Sequence, residues 1–180
     1  MRRIVNDETL DTLFRTAADR HAWLARPVSD TILRALWELV RLGPSSGACE
    51  PLRVVFVKSE EARARLAAAL PEPERAAVTT APTAAIVACP GRNTDDNGPA
   101  ADETALREGA LHAAYLMLAG RALGLDCAPI WQFDAALVGH EFFPDGRMTA
   151  HFLCALGYGE DGQAASPDGR PDFAEACAIL

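Results

Sequence analysis

Glu108 and His112 stand four residues apart in a stretch whose apolar residues recur at helical spacing. One helix face therefore carries a carboxylate and an imidazole a turn apart, an arrangement suited to acid/base work. A plain surface hydrogen bond between the two is the simpler alternative. A second region with chemical potential runs from Gly43 to Arg53 and reads GPSSGACEPLR. A Gly/Pro/Ser loop between an amphipathic helix and an apolar strand presents backbone amides and hydroxyls to an anion or a polar ligand. Glu50 in this loop joins Glu108 and His112 as a candidate catalytic group. The competing reading pairs Glu50 with Arg53 and Glu108 with Arg107 as ordinary ion pairs.

The remaining reactive residue types point to little else. The five cysteines (Cys49, Cys89, Cys127, Cys154 and Cys177) are scattered singly, without the CxxC spacing of zinc or dithiol sites. Most are expected to pack as small hydrophobes, with Cys49 set apart by its place in the polar loop. His21, His112, His140 and His151 show no HxH or HExxH pattern, so no metal site is expected. His21 beside Arg20 is expected to contact a ligand. Trp131 is expected in the core or at an interface rather than as a stacking platform.

The elements that must position these groups can be read from periodicity. Helices are expected over about residues 8 to 20, from Ser29 to Leu42 with Ser29 and Asp30 as amino-terminal caps, and from Glu60 to Leu70 up to Pro71 and Pro73. Arg53–Lys58 reads as a strand buried on both faces, Thr83–Cys89 as another, and Leu125–Ile130 and Phe152–Leu156 as two more. The longest helix, Asp102–Leu123, is apolar around much of its circumference and ends at Gly124. Such a helix must be central or lie across a subunit interface. Pro90–Pro99 is a polar loop, and the final DFAEACAIL is apolar enough to dock on something, a second subunit included. Alternating helices and strands without repeats imply helices covering a central sheet, in an α+β or α/β sandwich.

With 180 residues, 49% of them hydrophobic and 23% charged, the chain is expected to form one domain over residues 1–180. A net charge of −8 with Lys58 as the single lysine argues against nucleic acid or an anionic membrane as partner. Small molecules and other proteins are the expected partners. No apolar run reaches membrane-spanning length and MRRIVNDETL lacks an apolar signal core, so a cytoplasmic location is expected.

The GPSSGACEPLR loop, with Arg20, His21 and Trp23 before it, PVSD at Pro27–Asp30 and RALGLD at Arg121–Asp126, resembles the FMN-dependent nitroreductase family along nearly the whole chain. Its closest likeness is to the malonic semialdehyde reductases of pyrimidine degradation. The resemblance implies an α+β fold, an α-β-α sandwich with a mainly antiparallel sheet, in two protomers interlocked around two FMN sites. Residue by residue it implies cofactor contacts at Arg20, His21, Pro44, Ser45, Ser46, Arg107, Pro129, Trp131, Gln132 and Arg170. Pro51, Arg53, Phe133 and Asp134 match as well. Arg170 corresponds to a phosphate ligand, a role that suits the fork of a guanidinium.

The departures from the family pattern fall at the same site. Ala18 stands where the family has a phosphate arginine, leaving Arg20 or Arg15 as substitutes, and Ala48, Glu50, Glu108 and Ala155 replace small polar or amide residues. Trp131 and Gln132 replace a small Ser and Gly, with Trp131 able to take up ring-sized volume, and the region before the long helix is shortened. Carboxylates at a pocket for a dianion oppose binding unless protonated or paired, so weaker flavin binding than in the family is expected.

Three functions follow. One is an FMN enzyme passing hydride from NAD(P)H to a small carbonyl or nitro compound. Another is a flavin-free member whose pocket of Glu50, Glu108, His112, Trp131 and Gln132 binds another small molecule or does non-redox acid/base chemistry. The last is a non-catalytic partner of an active relative.

Overall fold

The computed structural model describes residues 4–16, 22–45, 52–72, 74–90, 99–160, 169 and 171–179, the side chains of 99–102 excepted. Four strands, β1 (Arg53–Val57), β2 (Thr83–Pro90), β3 (Asp126–Ile130) and β4 (Met148–Gly157), form one antiparallel sheet in the order β1-β2-β4-β3. The helices are α1 (Asp7–Leu10), continued by a π-helical turn at Asp11–Arg15, then α2 (Asp30–Val40), α3 (Glu60–Ala68), α4 (Glu74–Thr80), α5 (Pro99–Ala122), α6 (Ala135–Phe142) and α7 (Phe173–Ala176). No described helix is long and apolar enough to cross a membrane.

Side-chain alternation along the central strands divides the core in two. Ala85, Val87 and Cys89 of β2 face Leu33, Leu36 and Val40 of α2 and Ala113, Leu116 and Ala119 of α5. The intervening Ala84, Ile86 and Ala88 face Leu66 of α3, Val78 of α4 and Val138 of α6. Each face needs apolar residues at every second position, so a strand covered on both sides becomes a continuous apolar run. This is why TAAIVAC is legible as buried.

The expectation that β1 is buried on both faces is not met. It is an edge strand, exposed at Arg53, half-buried at Val54, Val55 and Phe56, and fully buried only at Val57. Its β-branched run reflects strand propensity more than burial. The first helix is shorter than its apolar spacing suggested and widens into a π-helical turn at its end, and residues 17–20 of that reading lie outside the described ones.

Caps set the other boundaries. Ser29 accepts a hydrogen bond from the Ile32 amide at 3.3 Å and Ser59 from that of Ala62 at 3.2 Å, each satisfying a donor that the first helical turn leaves open. The long helix stops at Gly124 with φ +76°, where Leu125 N donates to Gly120 O and Gly124 N to Arg121 O. Three helices, α4, α6 and α7, escape the sequence reading. In α6 the unused signal was Asp134, whose carboxylate caps the helix by accepting from Leu137 N at 2.9 Å.

Candidate functional site

A break in strand register builds one end of the sheet. Val87 pairs with Phe152 but Ala88 pairs with Ala150, so His151 is the extra residue of a β-bulge in β4. A bulge turns the residues on either side of it and re-aims the one left unpaired. Here it lets Ala150 and Leu153 share the α3/α4/α6 face while Phe152 turns to the α5 face. His151 lies against Gly109 of α5, where a Cβ on Gly109 would come within 3.0 Å of the His151 Cβ. Only glycine permits so close an approach of helix and strand.

Glu108 and His112 flank Gly109 on the same helix face, and both are buried, at 4% and 2% exposure. The shared face is as expected; the surface hydrogen bond between them is not there. Neither ring nitrogen of His112 has a hydrogen-bond partner among the described residues. Gly43, at the start of the polar loop, packs directly on this imidazole. A Cβ there would stand 3.4 Å from His112 Nδ1 and 3.1 Å from the Val40 carbonyl oxygen. Leaving a buried donor or acceptor unsatisfied costs about 1–3 kcal/mol, so an imidazole held this way is a polar group built in against folding stability.

Other predicted residues are placed as follows. Pro44 and Ser45 continue the loop on the surface, whereas Ser46 and Glu50, with Cys49 and Pro51, lie outside the described residues, as do Arg20, His21 and Arg170. Arg107 points away from the buried pair: its side chain is 72% exposed and bonded to Glu103 one turn earlier, so the expected pairing with Glu108 gives way to an ordinary surface ion pair. Arg53 donates to the Leu52 carbonyl. Pro129 is half-buried in β3, in register with Cys154. Cys127 and Cys154 are free and buried; burial pushes the Cys154 thiol pKa well up, so it stays protonated and inert.

Of the two places expected for Trp131, core and interface, the first is excluded within the protomer. It follows the last residue of β3 and is 74% exposed, so it belongs neither to the core nor to a filled pocket within the protomer. Its ring meets Phe152 edge to face, with centroids 6.2 Å apart and planes at 73°. Gln132 beside it is exposed, and Asp134 serves as the α6 cap. What sequence reasoning missed here is His151, whose signal was a polar residue inside an otherwise apolar strand.

No group of three or more potential metal ligands exists among the described residues. A groove of about 500 Å³ between α2 and β1, lined by Leu33, Trp37 and Phe56 with Asp30, Arg34 and Lys58, contains none of the predicted site residues. For a flavin, the orphaned imidazole of His112 decides the fit. An imidazole presents two ring nitrogens, which suit the polar edge of an uncharged ring. The described residues therefore suit the ring, and the cations for a phosphate would be Arg20 and Arg170.

No family model matches the chain. Three proteins align with it from end to end, each provisionally named an NADH dehydrogenase/NAD(P)H nitroreductase. One from Leptothrix cholodnii is 40% identical over 191 residues and 95% of either chain, and one from Rhodopseudomonas palustris 39% over 190 residues and 97% of either. A third, from Polynucleobacter asymbioticus, is 36% identical over 199 aligned residues, covering both chains fully. Among solved structures, a provisionally named nitroreductase of Exiguobacterium sibiricum in complex with FMN superposes with a TM-score of 0.82 at 19% identity over the whole of both chains. A Bacillus subtilis protein likewise named gives 0.83 at 17% identity over 97% of this chain and all of its own. At that identity the likeness speaks for the fold, an α+β sandwich, as expected.

Proposed function

This chain belongs to the nitroreductase family of oxidoreductases, and from that premise we propose that it is an FMN-dependent NAD(P)H oxidoreductase. Its substrate is a small carbonyl or nitro compound, as for the malonic semialdehyde reductases. The observation that carries the reading is His112: a buried imidazole with no partner among the described residues, set under the Gly43–Ser45 loop. Such a group is supported by a bound polar ring. The chemistry supplied by bound FMN is hydride transfer between NAD(P)H and the acceptor.

The chain's own residues have separate tasks in this reading. His112 and Ser45 orient the polar edge of the ring, and Pro129, Trp131 and Gln132 border it from the end of β3. Arg20, His21, Ser46, Arg107 and Arg170 serve the remaining contacts, with Arg170 and Arg20 on the phosphate. Glu108, or Glu50, is the candidate acid/base group beside the acceptor. The protein acts as a single domain over residues 1–180, cytoplasmic, and as a homodimer. Leu111 and Tyr115, one turn apart on α5, are exposed apolar residues on one flank of the helix, which supports association through that helix.

A second reading is favoured by one observation, the burial of Glu108. A carboxylate in place of an amide would suit a flavin-free member that binds another small molecule or does acid/base chemistry. An absorbance spectrum from 300 to 550 nm, taken before and after excess FMN and desalting, separates the two. Retained flavin absorption is expected; a protein that stays colourless after FMN treatment overturns the flavin reading.

A further inference from the structure

We propose that Trp131 is a specificity-determining residue, its exposed indole a stacking platform that selects planar, uncharged aromatic ligands over saturated ones of similar size. The proposal takes its location from the reading above, which sets the end of β3 beside the reacting ring. Its chemistry stands on Trp131 itself.

An indole is the largest apolar side chain, and leaving it 74% in water forgoes the burial that Trp23 obtains in one core cluster and Trp37 against the other. The exposed ring is nonetheless held. Its edge-to-face contact with Phe152, itself buried, fixes the ring plane. On one side Ile130 is buried in register with Leu153; on the other Asp134 N donates to Ala69 O at 2.8 Å and its carboxylate caps α6. The backbone is therefore pinned three residues after the ring and immediately before it. A rigid aromatic face needs little ordering to bind, so its contact area is available for affinity.

The neighbours define the ligand further. Gln132 is exposed beside the ring and offers a donor and an acceptor to a carbonyl or nitro substituent. The nearest charged residue along the chain is Asp134, and the whole chain carries −8, so an aromatic carboxylate is disfavoured. Aromatic contacts of this geometry favour a π face over a saturated ring of equal bulk.

The test compares nitrobenzene with nitrocyclohexane by equilibrium dialysis against the full chain as purified, without NAD(P)H, for wild type, Trp131→Phe and Trp131→Leu. Wild type is expected to prefer nitrobenzene about tenfold, Trp131→Phe to stay within about threefold of that ratio, and Trp131→Leu, which keeps apolar bulk without a π face, to fall to about twofold or less. No preference in wild type, or an undiminished one in Trp131→Leu, overturns the proposal. So does a halved native mass in Trp131→Leu, which would make Trp131 an interface residue. Flavin colour is scored separately: a colourless protein that still shows the preference sinks the flavin reading and leaves the platform standing.

Discussion

The two faces of the sheet are built by different rules. Toward α3, α4 and α6 the packing is closed and apolar: Leu66, Val78, Ile86, Val138 and Leu153 are all fully buried. Toward α2 and α5 the same sheet meets a helix carrying buried Glu108 and His112, a bulge at His151, and two glycines where backbone and side chain nearly touch. Beside its packed face α5 exposes Leu106 on one flank and Leu111 with Tyr115 on the other. The first face keeps its core apolar, with an unpartnered Trp23 indole nitrogen and a tight Gly157 at its margin, while the second sets two buried ionisable side chains and a bulge within a few residues. Local violations of that kind gather where a protein binds or reacts, and the intact face supplies the stability that tolerates them.

Substitutions on the two sides should therefore separate stability from binding. The largest effect is expected from Ile86→Ala on the closed face, where removing buried methyl groups costs about 2–5 kcal/mol. Chemical denaturation should show the midpoint falling with an unchanged slope. The fraction of folded protein that retains FMN should match wild type. Loss of flavin from folded Ile86→Ala would mean that the closed face is not independent of the site.

His112→Leu should do the reverse. Removing an imidazole whose nitrogens have no described partner should change stability by no more than about 1 kcal/mol, and in the stabilising direction if the leucine fits. FMN retention after desalting should fall at least about tenfold, a change equivalent to roughly 1.4 kcal/mol of binding. A strongly destabilised His112→Leu with normal flavin content would instead make His112 a structural residue, and the contrast between the faces would lose its functional meaning.

How far the sequence disclosed this contrast depends on which physical signal each element carries. The central strand was legible because Thr83–Cys89 is apolar after its first residue, as a strand covered on both sides must be, and the ends of α2 and α5 because Ser29 and Gly124 mark them by type. The Glu108–His112 face was legible from spacing alone. Its burial was not, because periodicity says which residues share a side and not what covers that side. Trp131 was expected in the core or at an interface because size and apolarity usually mean burial; it is not in the protomer's core because it lies one residue past the end of β3, where the chain has left the sheet. His151 stood out as a polar residue in an apolar stretch, but its bulge could not be read, since a bulge is a mismatch between two strands and neither strand encodes it alone. The helices α4 and α6 were missed because seven or eight residues hold too few apolar positions to show a period.

The smallest effect should come from the polar rim of the α2 side, where a satisfied pair contrasts with the unsatisfied imidazole. Lys58 Nζ bonds to Asp30 at the start of α2, and both side chains are partly exposed. That hydrogen bond, then the lysine charge, then the charge of Arg34 hold the Asp30 carboxyl pKa below its usual value. A carboxyl depressed in the folded state stabilises the fold above its unfolded pKa, near 4, and the contribution is lost as pH falls through the folded value. Asp30→Asn should consequently lie slightly below wild type in thermal midpoint at pH 7, and the gap should close as the pH is lowered through about 4 and beyond. Salt should narrow it at pH 7, because the pair is open to solvent. A gap that persisted unchanged at low pH would assign Asp30 a role in capping or packing α2 rather than in charge, and the rim would then belong with the closed face.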